Sequence, residues 1–379
     1  PTLAYVDDFS VIAVTPRPLT AILELHKLLG IPIHSGPKAL QDGKLVHPTR
    51  APVPLLGSLF TVGAPGDPIT VRNTPARIES ALRDIEAAVL GSLPPHHWPR
   101  FLGRLNFAVS GTWGRTARAA LRALHHAIDG GAPRVILSDH QVRWLRWLAK
   151  HLENGPPRQV AASTHRLKFT LWTDGEWSPD TVTGGIGAVL QCPRQRPTVF
   201  CWGVPIPDWL VACWNQCLPS KEHIFPAELL AVWVALETWA PLLAGSALHL
   251  FEDNEAARFS LLRGSTTNPL ANNIIFHTWT LCQRHDILLW VDRVPSSSNP
   301  SDGESRLDHS MARSLAWKRI APWFPETANL RALAPLSPAP TGISVPAASS
   351  GPGGRDVSSR SAAEVPSSGR ATSSRPSGG

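Results

Sequence analysis

Leu167-Lys168-Phe169-Thr170-Leu171-Trp172-Thr173-Asp174-Gly175 reads as a short apolar strand ending in an acidic residue and a glycine. Gly185–Gln191 and Thr198–Val204 continue as strands, and a helical run follows from Pro226 to Leu243. Ala247–Phe251 and Ile287–Val294 read as two more strands, with helices near Glu255–Leu262 and Leu270–Gln283 between them. Three strands and then alternating helix and strand predict an α/β layer fold for about 165–320.

Upstream, Asn154-Gly155-Pro156-Pro157 is a cluster of turn residues and the candidate domain boundary. Before it lies a helical, Arg-rich stretch, 71–155. Thr74 is placed as an N-cap with Pro75 at the first helical position, and Ile78, Leu82, Ile85 and Val89 follow at helical spacing. Further helices are predicted near Trp98–Ser110, Arg115–Ile128 and Asp139–Leu152. Residues 1–70 read as α+β: apolar runs Thr2–Tyr5 and Phe9–Val14 around Val6-Asp7-Asp8, a helix Leu19–Leu29, and a strand pair within Val53–Val62. Residues 335–379 are dominated by Ser, Pro, Gly, Ala and Arg and are expected to be disordered.

A chain of 379 residues suits two domains plus tails. Hydrophobic residues at 43% against 17% charged ones exclude a chain too polar to fold. The net charge of +7 favours an anionic partner, nucleic acid foremost, although Arg355, Arg360, Arg370 and Arg375 of the tail supply part of it. Arg115, Arg118, Arg122, Arg134, Arg143 and Arg146, beside Trp144 and Trp147, either follow a phosphate backbone or form a solvated surface over buried tryptophans. Cys192, Cys201, Cys213, Cys217 and Cys282 are odd in number and lack paired zinc spacings, which suggests reduced thiols in an intracellular protein of cytoplasm or nucleus, not a secreted one. Leu229–Leu243 is interrupted by Glu237 and Pro241, short of the roughly 18 apolar residues of a span, so no membrane anchor is expected. Pro1 stands inside a strand pattern with neither an initiator Met nor a signal segment, which suggests a fragment or a processed product.

Four carboxylates sit where elements end or begin. Asp174 is read at a strand end, Glu228 in the first turn of a helix, Asp253 after the fourth strand, and Asp302 at the start of a final helix behind Ser296-Ser297-Ser298-Asn299-Pro300-Ser301. Singly, each is more readily a cap or a solvated loop residue. Packed around one sheet they form a dense negative site that is costly unless cations enter it. Mg²⁺, or Mn²⁺, is the natural resolution, since hard ions prefer oxygen ligands. Two ions about 3.5 to 4 Å apart can activate a water and stabilise the leaving oxygen of a phosphodiester.

Trp172-Thr173-Asp174-Gly175 with Gly184-Gly185-Ile186-Gly187-Ala188, Pro226-Ala227-Glu228-Leu229-Leu230-Ala231-Val232, Asp253-Asn254-Glu255-Ala256-Ala257 and Asn299-Pro300-Ser301-Asp302-Gly303-Glu304-Ser305-Arg306 together resemble retroelement ribonuclease H. The resemblance implies a mixed sheet flanked by helices, hydrolysis of the RNA strand of an RNA/DNA hybrid, and Asp174, Glu228, Asp253 and Asp302 as ligands of two Mg²⁺ or Mn²⁺ ions. The chain departs from the family in two places. Pro207–His223 reads as an insertion, and Val291-Asp292-Arg293-Val294-Pro295 stands where many members carry a His. A decayed nucleic-acid-binding remnant is the alternative. An integrase or transposase is disfavoured because the last acid is Asp302, not a Glu on a helix.

Tyr5-Val6-Asp7-Asp8 places adjacent carboxylates at a hairpin tip, where they suit metals carrying a triphosphate or are merely an acidic turn. The motif resembles the YxDD element of reverse transcriptases, which implies catalytic roles for Asp7 and Asp8, with Asp7 a metal ligand. Gly36-Pro37-Lys38, Leu55-Leu56-Gly57 and Phe101-Leu102-Gly103-Arg104-Leu105 resemble its later palm and thumb or connection segments, in DIRS-like style. The resemblance therefore makes 1–70 the C-terminal part of a polymerase palm and 71–155 the thumb or connection. The family's fingers and other catalytic Asp would lie before Pro1, so RNA-directed DNA polymerase activity is not expected of this chain.

Overall fold

The computed structural model describes residues 2–5, 8–11, 28, 52–55, 57–61, 63, 67–110, 114–125, 135–160, 166–193 and 198–324. Strands β1 (Thr2–Tyr5) and β2 (Asp8–Val11) pair antiparallel with Tyr5 opposite Asp8, so the expected hairpin forms and its second strand starts at Asp8. The helix expected over Leu19–Leu29, apart from Leu28, lies outside the described residues, as do Gly36-Pro37-Lys38 and the tail 335–379. Strands β3 (Val53–Leu55), β4 (Ser58–Thr61) and β5 (Ile69–Asn73) form an antiparallel sheet.

Helices α1 (Pro75–Val89), α2 (Trp98–Ser110), α3 (Gly114–His125) and α4 (Asp139–Asn154) follow. Thr74 and Pro75 take the N-cap and first helical positions, although the Thr74 side chain makes no cap bond. At α4 the N-terminal donors are satisfied by a capping box, Gln141 N–H donating to Ser138 Oγ at 3.3 Å and Ser138 N–H to Gln141 Oε1 at 2.9 Å. The four helices bury Ile85, Phe101, Leu102, Leu105, Leu121, Leu145 and Leu148 in one core. Strand β6 (Arg158–Val160), beyond the Gly155-Pro156-Pro157 break, returns to pair with β5.

The second region contains β7 (Lys168–Ser178), β8 (Thr183–Gln191), β9 (Val199–Pro205), α5 (Asp208–Asn215), α6 (Ile224–Leu243), β10 (Ala247–Glu252), α7 (Glu255–Arg263), α8 (Pro269–Arg284), β11 (Leu288–Arg293), α9 (Asp302–Ser305), α10 (Ser310–Ser314) and β12 (Lys318–Arg319). The sheet order is β11-β10-β7-β8-β9-β12. Strand β10 runs parallel to β7 and β11, whereas β8 is antiparallel to β7 and β9. The fold is thus α/β, with the expected mixed sheet flanked by helices.

Helix α6 lies on β7 and β8, and α8 packs on its outer side. Being 20 residues long with mean hydropathy 1.2, α6 is long and apolar enough to cross a membrane, contrary to the reading of Leu229–Leu243 as too interrupted. Its composition has a local cause: 78% of the apolar window is buried between sheet and helix, and a helix covered on most sides is apolar most of the way round. The Pro207–His223 insertion is built into this core, where Leu210, Val211 and Trp214 are buried and the His223 ring lies 4.8 Å from that of Trp177.

Phe276 of α8 meets Trp144 and Trp147 of α4 edge-on, each with centroids 4.8 Å apart. The two tryptophans therefore pack at the seam between the helical and α/β regions, which favours the buried reading over base stacking. Asn272 of α8 fastens the same seam. Its Nδ2 donates to Ala119 O at 2.9 Å in a buried setting, and its Oδ1 accepts from Thr266 N–H at 3.1 Å in a partly buried one. Asn272→Ala strands both partners and is expected to cost about 2 kcal/mol of unfolding free energy, measured by urea denaturation.

Candidate metal centre and nucleic-acid site

Asp174 sits within β7, not at its end, because the strand runs on to Ser178. Gly175 is not a stop. It is where α6 approaches the sheet: a Cβ there would lie 2.5 Å from Glu228 N and 2.6 Å from Ala227 C. That approach lets Gly175 N–H donate to Glu228 Oε2 at 2.7 Å. Since α6 begins at Ile224 and not at Pro226, Glu228 is two residues further into the helix than expected. Asp253 follows β10, and Asn254 caps α7 through its Oδ1 at 3.1 Å from Ala257 N, while its Nδ2 donates to Glu228 Oε1 at 3.4 Å.

The opposite sheet face is bare of side chains at Gly185, Gly187 and Gly203. A Cβ on any of them would collide with the backbone of Glu304 or Ser305, so α9 lies flat on the sheet. Ser305 Oγ then donates to Asp174 Oδ2, and Asn299 Nδ2 donates to Asp174 Oδ1 at 3.2 Å and Thr173 O at 3.1 Å. These bonds fix the Asp174 carboxylate and give the Gly184–Ala188 and Asn299–Arg306 motifs a common structural purpose.

Asp174, Glu228 and Asp253 present carboxylate oxygens within 4.8 Å of one another. Asp302 is not part of that group. Its Oδ1 pairs with Arg306 Nη2 at 2.8 Å, while its charge still acts on Asp174. Burial, then the charges of Asp253 and Asp302, push the Asp174 carboxyl up to about 6, against the opposing pull of the Ser305 hydrogen bond and Arg306. Burial and the charges of Asp174 and Asp253 hold Glu228 well above the usual carboxylate range. Asp253 Oδ1 is buried without a hydrogen-bond partner among the described residues. An all-oxygen set, partly unpartnered and mutually repelling, fits a hard divalent cation, and the triad can hold one. Of the hairpin pair, Asp7 lies outside the described residues and Asp8 is described only as the first residue of β2.

No protein-family model matches the chain, and no curated protein does. Among solved structures it is similar to RNase H1 of the halophilic archaeon Halobacterium salinarum NRC-1, at 17% identity over 38% of this chain and 99% of that one, with TM-score 0.30. It is also similar to the N-terminal RNase H domain of a Mycobacterium tuberculosis protein, at 16% identity over 40% of this chain and 99% of that one, TM-score 0.28. A third is the foamy viral protease-reverse transcriptase in complex with an RNA/DNA hybrid, at 15% identity, TM-score 0.32. The match covers 79% of this chain and 36% of the viral one, so this chain spans about a third of that protein's length.

A fifth acid went unread in the sequence. Glu252 is fully buried, accepts a hydrogen bond from Thr173 Oγ1 at 3.1 Å, and is held well above the carboxylate range by burial and then by the charge of Glu228. The signal was present: Leu248, Leu250 and Glu252 alternate onto one buried face of β10. Asn299 and Ser305, the donors that hold Asp174, were likewise quoted within a motif without a role.

The raised Asp174 carboxyl has a consequence for stability. Protonation is easier in the fold than in the unfolded chain, so its contribution is fully present below about 3.8 and is lost as pH rises through about 6. In a chelator, the melting temperature of Asp174→Asn minus that of wild type is expected to grow across this window and level off above it. A divalent cation should close the difference near neutral pH, where the carboxylate is charged, and leave it unchanged at the acid end.

Proposed function

We propose that the chain is a metal-dependent ribonuclease H-type endonuclease that hydrolyses the RNA strand of RNA/DNA hybrids as part of a retroelement reverse transcriptase. The observation that carries this reading is the convergence of Asp174, Glu228 and Asp253 from three separate elements within 4.8 Å. Asp174, Glu228 and Asp253 would hold the ions, with Asp302 at the rim. The chemistry supplied by two Mg²⁺ or Mn²⁺ ions there is activation of a water and stabilisation of the leaving oxygen of the phosphodiester. The chain's own residues preset the donors: Asn299 and Ser305 orient Asp174, while Gly175 N–H and Asn254 orient Glu228, so little reorganisation is left for the reaction. The partner of the site is the hybrid duplex.

A catalytically decayed nucleic-acid-binding remnant is the second reading, favoured by Asp302 being paired with Arg306 instead of joining the triad. Hybrids labelled on either strand, incubated with the full chain in Mg²⁺ and then in chelator, separate the two. Cleavage of the RNA strand alone, abolished by chelation, supports the nuclease; binding without cleavage supports the remnant.

A further inference from the structure

Arg306 caps the short helix α9, whose position is dictated by the three sheet glycines beneath Glu304 and Ser305. Its guanidinium bridges two carboxylates, Nη2 to Asp302 Oδ1 at 2.8 Å and Nε to Glu176 Oε2 at 3.0 Å. Its field also reaches Asp174, where it opposes the repulsion of Asp253 and Asp302. The Arg306 side chain is nonetheless 59% exposed and its two partners 45% and 34%, so solvent reaches the guanidinium, although Glu176 Oε2 itself is buried. A guanidinium has five N–H donors in a planar fork, and the two carboxylates share its Nε/Nη2 edge, each taking one N–H. That edge is a two-point fork whose spacing suits the two oxygens of a single phosphate.

We propose that Arg306 is a phosphate grip for the nucleic-acid strand entering this site, exchanging Glu176 and Asp302 for the oxygens of one backbone phosphate. The proposal rests on the nucleic-acid reading above and adds a residue and a motion to it. In the free chain Arg306 neutralises the rim of the acidic cleft. On binding, the same cation is transferred to the phosphate, and Glu176 and Asp302 are left unpaired. Glu176 is thus a competitor of the substrate, and Glu176→Gln should strengthen binding, an outcome a purely structural ion pair does not give.

The test is fluorescence anisotropy with a labelled RNA/DNA hybrid and the full chain in Mg²⁺, for wild type, Arg306→Ala, Arg306→Lys and Glu176→Gln, each over a series of salt concentrations and with its melting temperature recorded. Arg306→Ala is expected to weaken binding about tenfold and to reduce the slope of log K against log salt by about one, the signature of one lost phosphate contact. Arg306→Lys should retain the slope and recover part of the affinity, and Glu176→Gln should bind more tightly than wild type. An unchanged affinity and slope in Arg306→Ala, or weaker binding by Glu176→Gln at an unchanged melting temperature, overturns the assignment. A wild type that binds hybrid without cutting it defeats the nuclease reading but leaves this test intact. A wild type that binds no hybrid overturns both.

Discussion

Asp174→Asn is expected to lower hydrolysis of hybrid on the order of a thousandfold, the equivalent of about 4 kcal/mol in the transition state, while the metal-free protein melts no lower than wild type near neutral pH. The two halves of this result have one cause. Asp174 is buried, and burial with the charges of Asp253 and Asp302 raises its carboxyl to about 6, so the ionised form opposes folding until a cation enters. An Asn keeps the shape and one oxygen for Asn299 or Ser305, removes the charge, and removes one oxygen of the triad that can hold a metal. Loss of rate with a large fall in melting temperature would instead mark Asp174 as a structural residue. Steady-state kinetics and thermal melts on the same preparations decide between them.

Gly175→Ala is expected to destabilise the protein by about 3 kcal/mol and to weaken divalent metal binding by tenfold or more. The added methyl would point at Glu228 N and Ala227 C, both backbone atoms of α6, and no flexible side chain is there to give way. Neither wall yields easily. Strand β7 is paired with β10 up to Trp172 and with β8 through Gly175 to Ser178, and α6 is buried along most of its length. The strain is relieved only by lifting the start of α6, which breaks the bond from Gly175 N–H to Glu228 Oε2 and moves the ligand. Urea denaturation gives the first quantity and Mn²⁺ titration the second. A variant with wild-type stability would show that the helix is free to shift.

Gly175 also shows how far the sequence was readable. Alternation along Leu167–Thr173 locates the central strand, but locally a glycine after an acid reads as its end. In the fold that glycine serves an approach from another element, which no local pattern encodes. The order of β7 to β11 with α6, α7 and α8 is legible because these runs are strongly patterned, whereas α5, α10 and β12, of eight, five and two residues, are not. Strands β5 and β6 are five and three residues long, and β6 is exposed throughout, so neither carries a usable alternation. Three of the four acids expected at the ribonuclease site converge, since β7 and β10 are paired neighbours in the sheet and α6 packs against β7. Asp302 stands apart from the triad and pairs with Arg306, four residues on, which also pairs with Glu176, far upstream. Reading that competition requires knowing that α9 crosses β8 and β9.

The most direct measurement is calorimetric titration of the full chain with Mn²⁺ near neutral pH, beside Asp174→Asn. Saturable binding in wild type that is lost in the variant is the result expected of mutually repelling carboxyl groups gathered by the fold into one oxygen-ligand set. No saturable uptake by a folded wild type, or identical uptake by both proteins, would contradict a divalent-metal centre at Asp174, Glu228 and Asp253.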